Sequence, residues 1–480
     1  MNNKNEKNKI NISFSKKKLL FITLSFFVIA IFTITAYYDY TPSGLSIKGQ
    51  VMIGILLMAG ILWVTEAIPL AVTGLLIMIM QPLLGIMPAE EVFSSFGNEA
   101  VFFLIGAFIL ASAIEKHGIH KRIALKFLSF FEKTPKLFTF GIMIACACLS
   151  FVMPEHGVAA LFLPIITSIL IAMKIIPKQS NFGKVSMLSV AYGCSIGSLG
   201  TLIGGARNPL TIGFLSNLDP PIVVSFFEWM IIAMPVVLIS LPLVWIVLQF
   251  SFPIKIKDIS LAKKEISNQV KKQGRIGQKQ ITVSIIFVLT LFLWVFFSNY
   301  TYFGLAGIAL LGGILLFITG SLNWKDVEQR LPWGIILLYG GAVTLGIGIL
   351  ETGAADWIAK AIFTSIGANI YLSILALIIF TILLTNIMSN TGAVALLLPI
   401  GLAISTEIAG ITPLLASMII ALSGGLAFML VIATPGNAIT YSSGYYSTRD
   451  LFKAGFIANI ICIAIVFSVA IIYWIGILNL

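Results

Sequence analysis

The residues best suited to binding chemistry form two short polar interruptions inside long apolar runs. Residues 153–165 read MPEHGVAALFLPI, residues 388–400 read MSNTGAVALLLPI, and the two align without gaps 235 residues apart. Seven of the thirteen aligned positions are identical. The hydroxyl and amide groups of Ser389, Asn390 and Thr391 suit a carboxylate, because they donate hydrogen bonds without adding charge. This stretch is the strongest candidate for a substrate-binding tip.

The first interruption carries charge where the second is neutral. Pro154, Glu155 and His156 stand opposite the Ser-Asn-Thr triplet, and Gly157 stands opposite Gly392. Ionisable side chains within apolar membrane segments are rare and are functional by default. Glu155, His156 and Gly157 are therefore candidate substrate-binding residues.

Two further polar breaks follow the first two along the chain. Residues 204–208 read GGARN and residues 433–437 read ATPGN. Helices broken at membrane depth persist only where they line a cavity or lie inside the protein. Their free N–H groups attract anions, and their free carbonyls coordinate cations. The four breaks together predict one binding site, to which these two contribute Asn208, Thr434, Pro435 and Asn437.

The elements that position these residues are predicted to be membrane-spanning helices. The chain has 480 residues, of which 59% are apolar and only 10% are charged. Apolar runs of about 20 residues recur from end to end, and this length crosses a bilayer as an α-helix. The net charge of +11 arises from a tail and from loops between the runs, where basic residues orient a membrane protein. We therefore expect no nucleic-acid partner, and we predict a multi-pass protein of the cell membrane.

The chain divides into two halves that repeat each other. The predicted segments are a cytoplasmic tail at 1–18, an extra span at 19–45, a first repeat at 46–251, a cytoplasmic linker at 252–280 and a second repeat at 281–480. Each repeat has five spans and a re-entrant hairpin. The predicted fold class is an all-α polytopic membrane protein with about eleven transmembrane helices and two hairpins.

The distribution of basic residues indicates how the two repeats are oriented. Residues 116–136 hold six Lys and Arg, whereas the matching residues 351–371 hold one, Lys360. Basic loops stay in the cytoplasm, so the first segment is expected inside and the second outside. The repeats are thus predicted to be inverted, with the N-terminus in the cytoplasm and the C-terminus outside.

Several motifs make the sequence resemble the divalent anion/sodium symporters, which carry di- and tricarboxylates. They are SNTGAVALLLPI at 389–400, GLAFMLVIATPGNA at 425–438, TEAIPL at 65–70 and GTLIGGARNP at 200–209. The resemblance implies a homodimer surrounded by membrane lipid, in which a fixed scaffold supports a mobile domain that moves the site like an elevator. It also implies transport of dicarboxylates such as malate, succinate, fumarate and 2-oxoglutarate, without a cofactor.

The first half departs from the family pattern where a coupling ion is expected. The family's sodium sites use Ser and Asn side chains at the tips and carbonyls of the facing loops. A sodium-coupled member would therefore hold sodium near Asn390, Gly392 and Ala433. Arg207 stands where a neutral residue is usual, and a guanidinium repels sodium. Arg207, together with His156, is expected to replace one sodium ion with fixed positive charge.

These departures predict a secondary transporter that exchanges one dicarboxylate for another without sodium. A mobile domain with fixed charge is costly to move empty through the bilayer, whereas a bound dianion neutralises it. The alternative is a sodium-coupled dicarboxylate symporter. Three other interpretations stay open. Glu155 and Arg207 only pair and brace the hairpin, or His156 is a neutral tip residue that hydrogen-bonds substrate, or Glu155 and His156 titrate and couple transport to protons.

An enzyme is not expected. An intramembrane metalloprotease of the helical zinc type needs a second histidine at helical spacing from the first. The other histidines, His117 and His120, lie in a different segment from His156. The sequence therefore predicts no catalytic residues, and no metal site beyond the sodium alternative.

Overall fold

The fold is built from apolar α-helices, as the composition predicts. The computed structural model describes residues 16–300, 302–366 and 369–480, and within these residues it contains twenty-two α-helices and no β-strand. Most of the predicted tail at 1–18 lies outside the described residues. The predicted extra span is α1 (Lys16–Tyr37).

Of the described helices, ten belong to the first half and ten follow in the same order in the second. The first ten are α2 (Ile47–Thr65), α3 (Leu70–Leu83), α4 (Ala89–Ser94), α5 (Glu99–Lys116), α6 (Ile119–Ser129), α7 (Pro135–Ser150), α8 (Glu155–Ala172), α9 (Asn181–Gly197), α10 (Arg207–Ser216) and α11 (Phe226–Ser251). The linker contains α12 (Ser260–Lys272). The second ten are α13 (Gln278–Phe297), α14 (Gly304–Ile318), α15 (Trp324–Arg330), α16 (Trp333–Glu351), α17 (Ala354–Ile366), α18 (Ile370–Ile387), α19 (Asn390–Glu407), α20 (Pro413–Ser423), α21 (Pro435–Tyr441) and α22 (Thr448–Val469).

Equivalent helices of the two halves pack in equivalent ways. The starts of α8 and α19 lie 235 residues apart. Gly106 of α5 lies against Ala309 of α14, and Gly341 of α16 lies against Gly74 of α3. The two pairs are equivalent, because α16 is the counterpart of α5 and α3 is the counterpart of α14. In both, small residues let two membrane helices approach closely.

Contacts at the helix ends define one face of the molecule, which we call the linker face. Lys116 at the end of α5 pairs with Asp326 of α15 at 2.6 Å. The hydrogen bond from Lys116 holds the pKa of the Asp326 carboxyl below its usual value. Arg122 of α6 donates hydrogen bonds to the carbonyls of Gln273 and Gly274 at 3.1 and 3.0 Å. The basic helix α6 and the linker, both predicted to be cytoplasmic, therefore lie on the same face.

The opposite face is marked by a contact between the start of α2 and the end of α16. The Ser46 hydroxyl donates to the carbonyl of Thr352 at 2.8 Å. α16 begins shortly after α15 on the linker face and has 19 residues, a length of about 28 Å. It therefore ends on the opposite face, whereas its counterpart α5 ends on the linker face. Equivalent helices run in opposite directions, which supports the predicted inversion.

The helices cross the membrane in the predicted arrangement. In the described part of the chain, ten helices are long and apolar enough to span a bilayer, and α3, α7, α14 and α20 are shorter apolar helices. Counting the broken pairs α9–α10 and α20–α21 as one crossing each gives eleven crossings there. The pairs α7–α8 and α18–α19 are the two hairpins. The predicted all-α polytopic fold is confirmed.

The central helices α9 and α20 hold the two hairpins. Both are buried along nearly their whole length. α7 and α8 pack on α9, and α18 and α19 pack on α20. In addition, α8 packs on α21 and α19 packs on α10. Because each hairpin contacts the broken helix of the other half, all four polar breaks come to one place.

Candidate functional site

The tips of the two hairpins meet inside the molecule. α8 starts at Glu155 directly after Pro154, and α19 starts at Asn390 directly after Ser389. The Ser389 hydroxyl accepts a hydrogen bond from the Gly392 N–H at 3.2 Å and so caps α19. Asn390 Nδ2 lies 3.5 Å from Glu155 Oε1, and both side chains are buried. Two helix N-termini therefore direct partial positive charge into one region, where an anion is favoured.

Buried hydrogen bonds extend from this meeting point into both halves. Thr385 Oγ1 donates to Asn390 Oδ1 at 2.8 Å. On the other side, the Ser198 hydroxyl donates to Glu155 Oε2 at 3.1 Å and accepts from Arg207 Nη2 at 2.6 Å. We call these five residues the polar chain. Buried polar groups are stable when their hydrogen bonds are made, so the polar chain ties the two tips together.

Arg207 places a positive charge between the two halves, and only 1% of the residue is exposed. Gly205 and Gly425 make room for its guanidinium, since a Cβ atom on either would collide with it. Arg207 is linked to Glu155 through Ser198, so the pairing expected from the sequence is indirect. Arg207 Nε has no hydrogen-bond partner among the described residues. An incompletely compensated buried charge is unfavourable.

The paired asparagines brace the loops between the broken helices. Asn208 Nδ2 donates to the carbonyls of Ser198 and Thr201 at 2.8 and 2.7 Å. Asn437 Nδ2 makes the equivalent two hydrogen bonds, at 3.2 and 3.0 Å, to carbonyls of the second-half loop. Both side chains are fully buried. Their amide nitrogens are therefore committed to the loops, which is a structural task that the sequence did not reveal.

The Oδ1 atoms of these two asparagines remain free. Neither has a hydrogen-bond partner within the described residues, although both are buried. A buried acceptor without a donor is unfavourable, and a water or a cation is one partner that would satisfy it. One such oxygen lies in each half, at Asn208 and at Asn437.

The second loop offers mainly backbone groups to a ligand. Thr434 is the N-cap of α21, and its Oγ1 accepts from the Asn437 N–H at 3.0 Å. Pro435 is the first residue of α21, and Ala433 is buried directly before the cap. The hydroxyl of Thr434 is thus used within the protein. The predicted contribution of this loop to binding rests on its carbonyls and on Asn437 Oδ1.

A vestibule leads from the linker face to the first tip. It consists of two adjoining cavities of about 350 and 620 Å³, which share Glu115, Gly157 and Ala160 in their walls. His156 lines the inner cavity, and α12 lines one side of the outer cavity. His120 lines the outer cavity, and burial lowers the pKa of its ring, so the ring is neutral at neutral pH. The vestibule therefore connects the linker face to the first tip.

The structure brings Glu155, Asn390 and Arg207 together and places His156 and Gly157 at the mouth of the site. Thr391 follows Asn390 and is half-buried. Sequence reasoning missed Ser198 and Thr385. Ser198 had a usable signal, since it belongs to the small and polar run GCSIGSLGT at 193–201. Thr385 had none, because a lone Thr in an apolar helix ordinarily bonds to its own backbone.

A comparison with solved structures agrees with this architecture. The structure of MtrF from Neisseria gonorrhoeae, described as illuminating a class of antimetabolite efflux pumps, aligns over 94% of this chain and 94% of its own. The TM-score is 0.57 and the sequence identity is 14%. This likeness concerns the fold alone.

Sequence relatives and a family profile are more specific. The sodium-dependent dicarboxylate transporter SdcS of Staphylococcus saprophyticus is 31% identical over 453 residues, which are 89% of this chain and 86% of that protein. The protein of the same name from Staphylococcus aureus is 30% identical over 456 residues, which are 90% and 87%. The family described as the sodium:sulfate symporter transmembrane region matches residues 18–480. The protein therefore belongs to the sodium:sulfate symporter family of membrane transporters.

Proposed function

We propose that the protein carries dicarboxylates of four or five carbons, such as malate, succinate, fumarate and 2-oxoglutarate, across the cell membrane by sodium-coupled secondary transport. The observation that carries the proposal is the polar chain, which joins two helix N-termini and a buried guanidinium next to the first tip, where the vestibule ends. The staphylococcal relatives, named sodium-dependent dicarboxylate transporters, support both the substrate class and the coupling.

The substrate proposal follows from charge and geometry. The region between the tips receives partial positive charge from the starts of α8 and α19. Arg207 adds a full positive charge with an unpaired Nε–H. Ser389 and Thr391 flank Asn390 at the second tip and supply hydroxyl groups. In a bound dianion, one carboxylate is proposed to face Arg207 and the other to face the hydroxyl groups of Ser389 and Thr391.

Sodium coupling is proposed for the second half, which carries no fixed charge at its loop. The proposed ion lies near Asn390, Gly392 and Ala433, and the buried Asn437 Oδ1 adds an oxygen without a partner in the described structure. Oxygen ligands of this kind suit hard cations. The sodium-independent exchange predicted from the sequence is not supported by the relatives, whose names state sodium dependence.

Exchange is retained as a second candidate because of one observation. Arg207 is a positive charge held inside the protein between the two halves, and it cannot dissociate as an ion does. If the surrounding helices move through the membrane without substrate, Glu155 is the counter-charge that moves with Arg207, and Ser198 separates the two. Moving such a separated pair of charges through a bilayer is costly. A bound dianion removes the cost, so net transport would give way to exchange.

The proposed movement follows the elevator pattern implied by the family resemblance. The hairpins and broken helices, α7–α11 and α18–α22, form the part proposed to move. The remaining helices form the scaffold and, with a second copy of the chain, a homodimer. With the linker in the cytoplasm, the vestibule opens to the cytoplasm, so this conformation is the proposed inward-open state.

Transport by purified protein in liposomes distinguishes the two coupling modes. Labelled succinate uptake is measured into empty liposomes with an inward sodium gradient, and into succinate-loaded liposomes without sodium. Sodium-driven uptake into empty liposomes is the expected result. Uptake that requires internal succinate and ignores sodium would instead establish exchange. Failure of every dicarboxylate tested, alongside uptake of sulfate, would contradict the substrate proposal.

A further inference from the structure

An apolar crevice lies beside the second hairpin, away from the polar chain. Two cavities of about 510 and 600 Å³ form it, and they share Ile358, Phe380, Leu397 and Ile400 in their walls. The walls come from α1, α2 and α17 on one side and from α18 and α19 on the other. We call it the lateral crevice.

The wall of the lateral crevice offers no free polar group among its described residues. Thr65, Ser373 and Glu407 are its polar side chains. Thr65 and Ser373 donate hydrogen bonds to carbonyls four residues earlier, at 2.7 and 3.0 Å. Glu407 pairs with Lys360 at 3.7 Å. Since these groups already have partners, the crevice presents hydrocarbon to whatever fills it.

The lateral crevice opens sideways, towards the surface that faces the bilayer. Leu24 of α1, Leu57 of α2 and Phe380 of α18 line it, yet they are 43%, 42% and 56% exposed. The neighbouring exposed surface of α1 is also apolar. Water is disfavoured in an apolar groove of this kind, and a charged metabolite more so. The bilayer supplies the one apolar occupant that is always present at this depth.

We propose that the lateral crevice binds one acyl chain of a membrane phospholipid. The chain inserts between the second hairpin and α2, and it contacts both. The Lys360–Glu407 pair lies at the end of the crevice towards the face opposite the linker, because α17 follows the end of α16 there. The acyl chain fills the boundary between the second hairpin and the neighbouring helices, so it influences how the hairpin moves.

The halves provide a matched control for this proposal. Leu57 on α2 and Leu289 on α13 lie on equivalent helices of the two repeats and are 42% and 43% exposed. Leu57 lines the lateral crevice, whereas Leu289 lies on the outer surface of α13. A tryptophan at position 57 should occupy the crevice. The same change at position 289 should only alter the lipid-facing surface.

Photolabelling tests the proposal directly. The purified protein is placed in bilayers that contain a phospholipid with a diazirine in the middle of one acyl chain, illuminated, and mapped by mass spectrometry. We expect strong labelling of Leu57, Phe380 and residues 396–400, above the labelling of the outer surface of α13. Leu57→Trp should reduce labelling of 396–400 severalfold, and Leu289→Trp should leave it unchanged.

A second, smaller change protects the test against misfolding. A Cβ at Gly60 would meet Leu396 Cδ1 at 3.3 Å, so Gly60→Ala narrows the lateral crevice and requires only a small shift of the flexible end of Leu396. This variant, like Leu57→Trp, should reduce the labelling of residues 396–400. Labelling of 396–400 no stronger than that of α13, or labelling unaffected by both crevice variants, would overturn the proposal. Neither result depends on which substrate the protein carries.

Discussion

At the scale of single residues, Arg207 decides how the site handles charge. It is buried, held by Ser198 and given space by Gly205 and Gly425. Glu155 lies on the far side of Ser198, so the carboxylate and the guanidinium attract each other across the hydroxyl group that bonds to both. The guanidinium is anchored but not neutralised by direct contact. A dianion at the tips would complete the compensation.

Removing the charge of Arg207 should weaken substrate binding. A hydrogen bond to a charged group contributes about 1.5–3 kcal/mol, so Arg207→Gln should lower dicarboxylate affinity roughly 10- to 100-fold. Direct binding to the purified variant, together with uptake in liposomes, measures the effect. Arg207→Lys keeps the positive charge and should therefore lose less dicarboxylate affinity than Arg207→Gln. Equal affinity in the wild type and Arg207→Gln would show that the guanidinium does not receive substrate.

The paired asparagines allow the sodium proposal to be tested within one molecule. Asn437→Ala and Asn208→Ala each remove the same two loop hydrogen bonds, so both should lower thermal stability to a similar extent. Only Asn437→Ala also removes the oxygen proposed for sodium. We expect the sodium concentration for half-maximal uptake to rise in Asn437→Ala and to stay near the wild-type value in Asn208→Ala. Equal sodium dependence in both variants would contradict the proposed ion position.

At the scale of the elements, the repeat made much of the site predictable. The alignment of the two tips correctly paired Glu155 with Asn390 as the first residues of α8 and α19, because a repeated sequence builds repeated helices. It also paired Asn208 with Asn437, whose hydrogen bonds are equivalent. Ser198 could not be assigned in the same way. Its role depends on how α9, α8 and α10 pack, which is a long-range property.

The contact between Gly425 and Arg207 belongs to the same class of unpredictable features. It joins the loop after α20 to the start of α10, which lie far apart in the sequence. A single sequence records that position 425 is glycine, but not which distant side chain requires the space. The indirect link between Glu155 and Arg207 was missed for the same reason, since hydrogen-bond partners are set by packing.

A methyl group at position 425 should disturb Arg207. The added Cβ would overlap the guanidinium, and overpacking of this kind costs about 1–3 kcal/mol. Gly425→Ala should therefore lower the melting temperature and dicarboxylate affinity together. Gly436→Ala is the control, because the nearest atom to its Cβ would be the Ala191 carbonyl oxygen at 3.5 Å, an ordinary contact.

Combining Gly425→Ala with Arg207→Gln separates this local effect from general damage. When two substitutions affect the same contact, their effects on the free energy of unfolding do not simply add. The double variant should lose less stability than the two single changes summed, because the shorter Gln leaves room for the methyl group. Strict additivity in thermal unfolding would mean that the loop and Arg207 are energetically independent.

At the scale of the whole molecule, the helix directions fix which parts share a face. The linker and α6 lie on the linker face. The C-terminus lies towards the other face: Trp474 donates to the carbonyl of Ile232, near the start of α11, at 2.9 Å. α11 ends at Ser251, where the linker begins. Leu480 and the linker should therefore be found on opposite sides of the membrane, as the sequence predicts.

Labelling of single cysteines in intact cells tests this topology. In a variant without the four native cysteines, a membrane-impermeant maleimide should label Asn479→Cys from outside and should reach Lys264→Cys only after the cells are opened. This follows because basic linkers remain in the cytoplasm. Labelling of position 264 in intact cells would reverse the proposed orientation, whereas labelling of both positions would contradict the inverted repeat.

The linker also connects α6 to α8 through hydrogen bonds, and we call this connection the strap. Gln269 of α12 donates to the Ser168 hydroxyl of α8 at 2.5 Å, while Arg122 of α6 holds Gln273. If the first hairpin moves away from α6, at least one of these hydrogen bonds must break or α12 must move with the hairpin. A short bis-maleimide bridge between Ser168→Cys and Gln269→Cys, in the cysteine-free variant, should therefore arrest net uptake. Both residues also line the outer cavity, so retained substrate binding is the result that distinguishes arrested movement from a blocked vestibule. The length of α12 would then limit how far the first hairpin can move during transport.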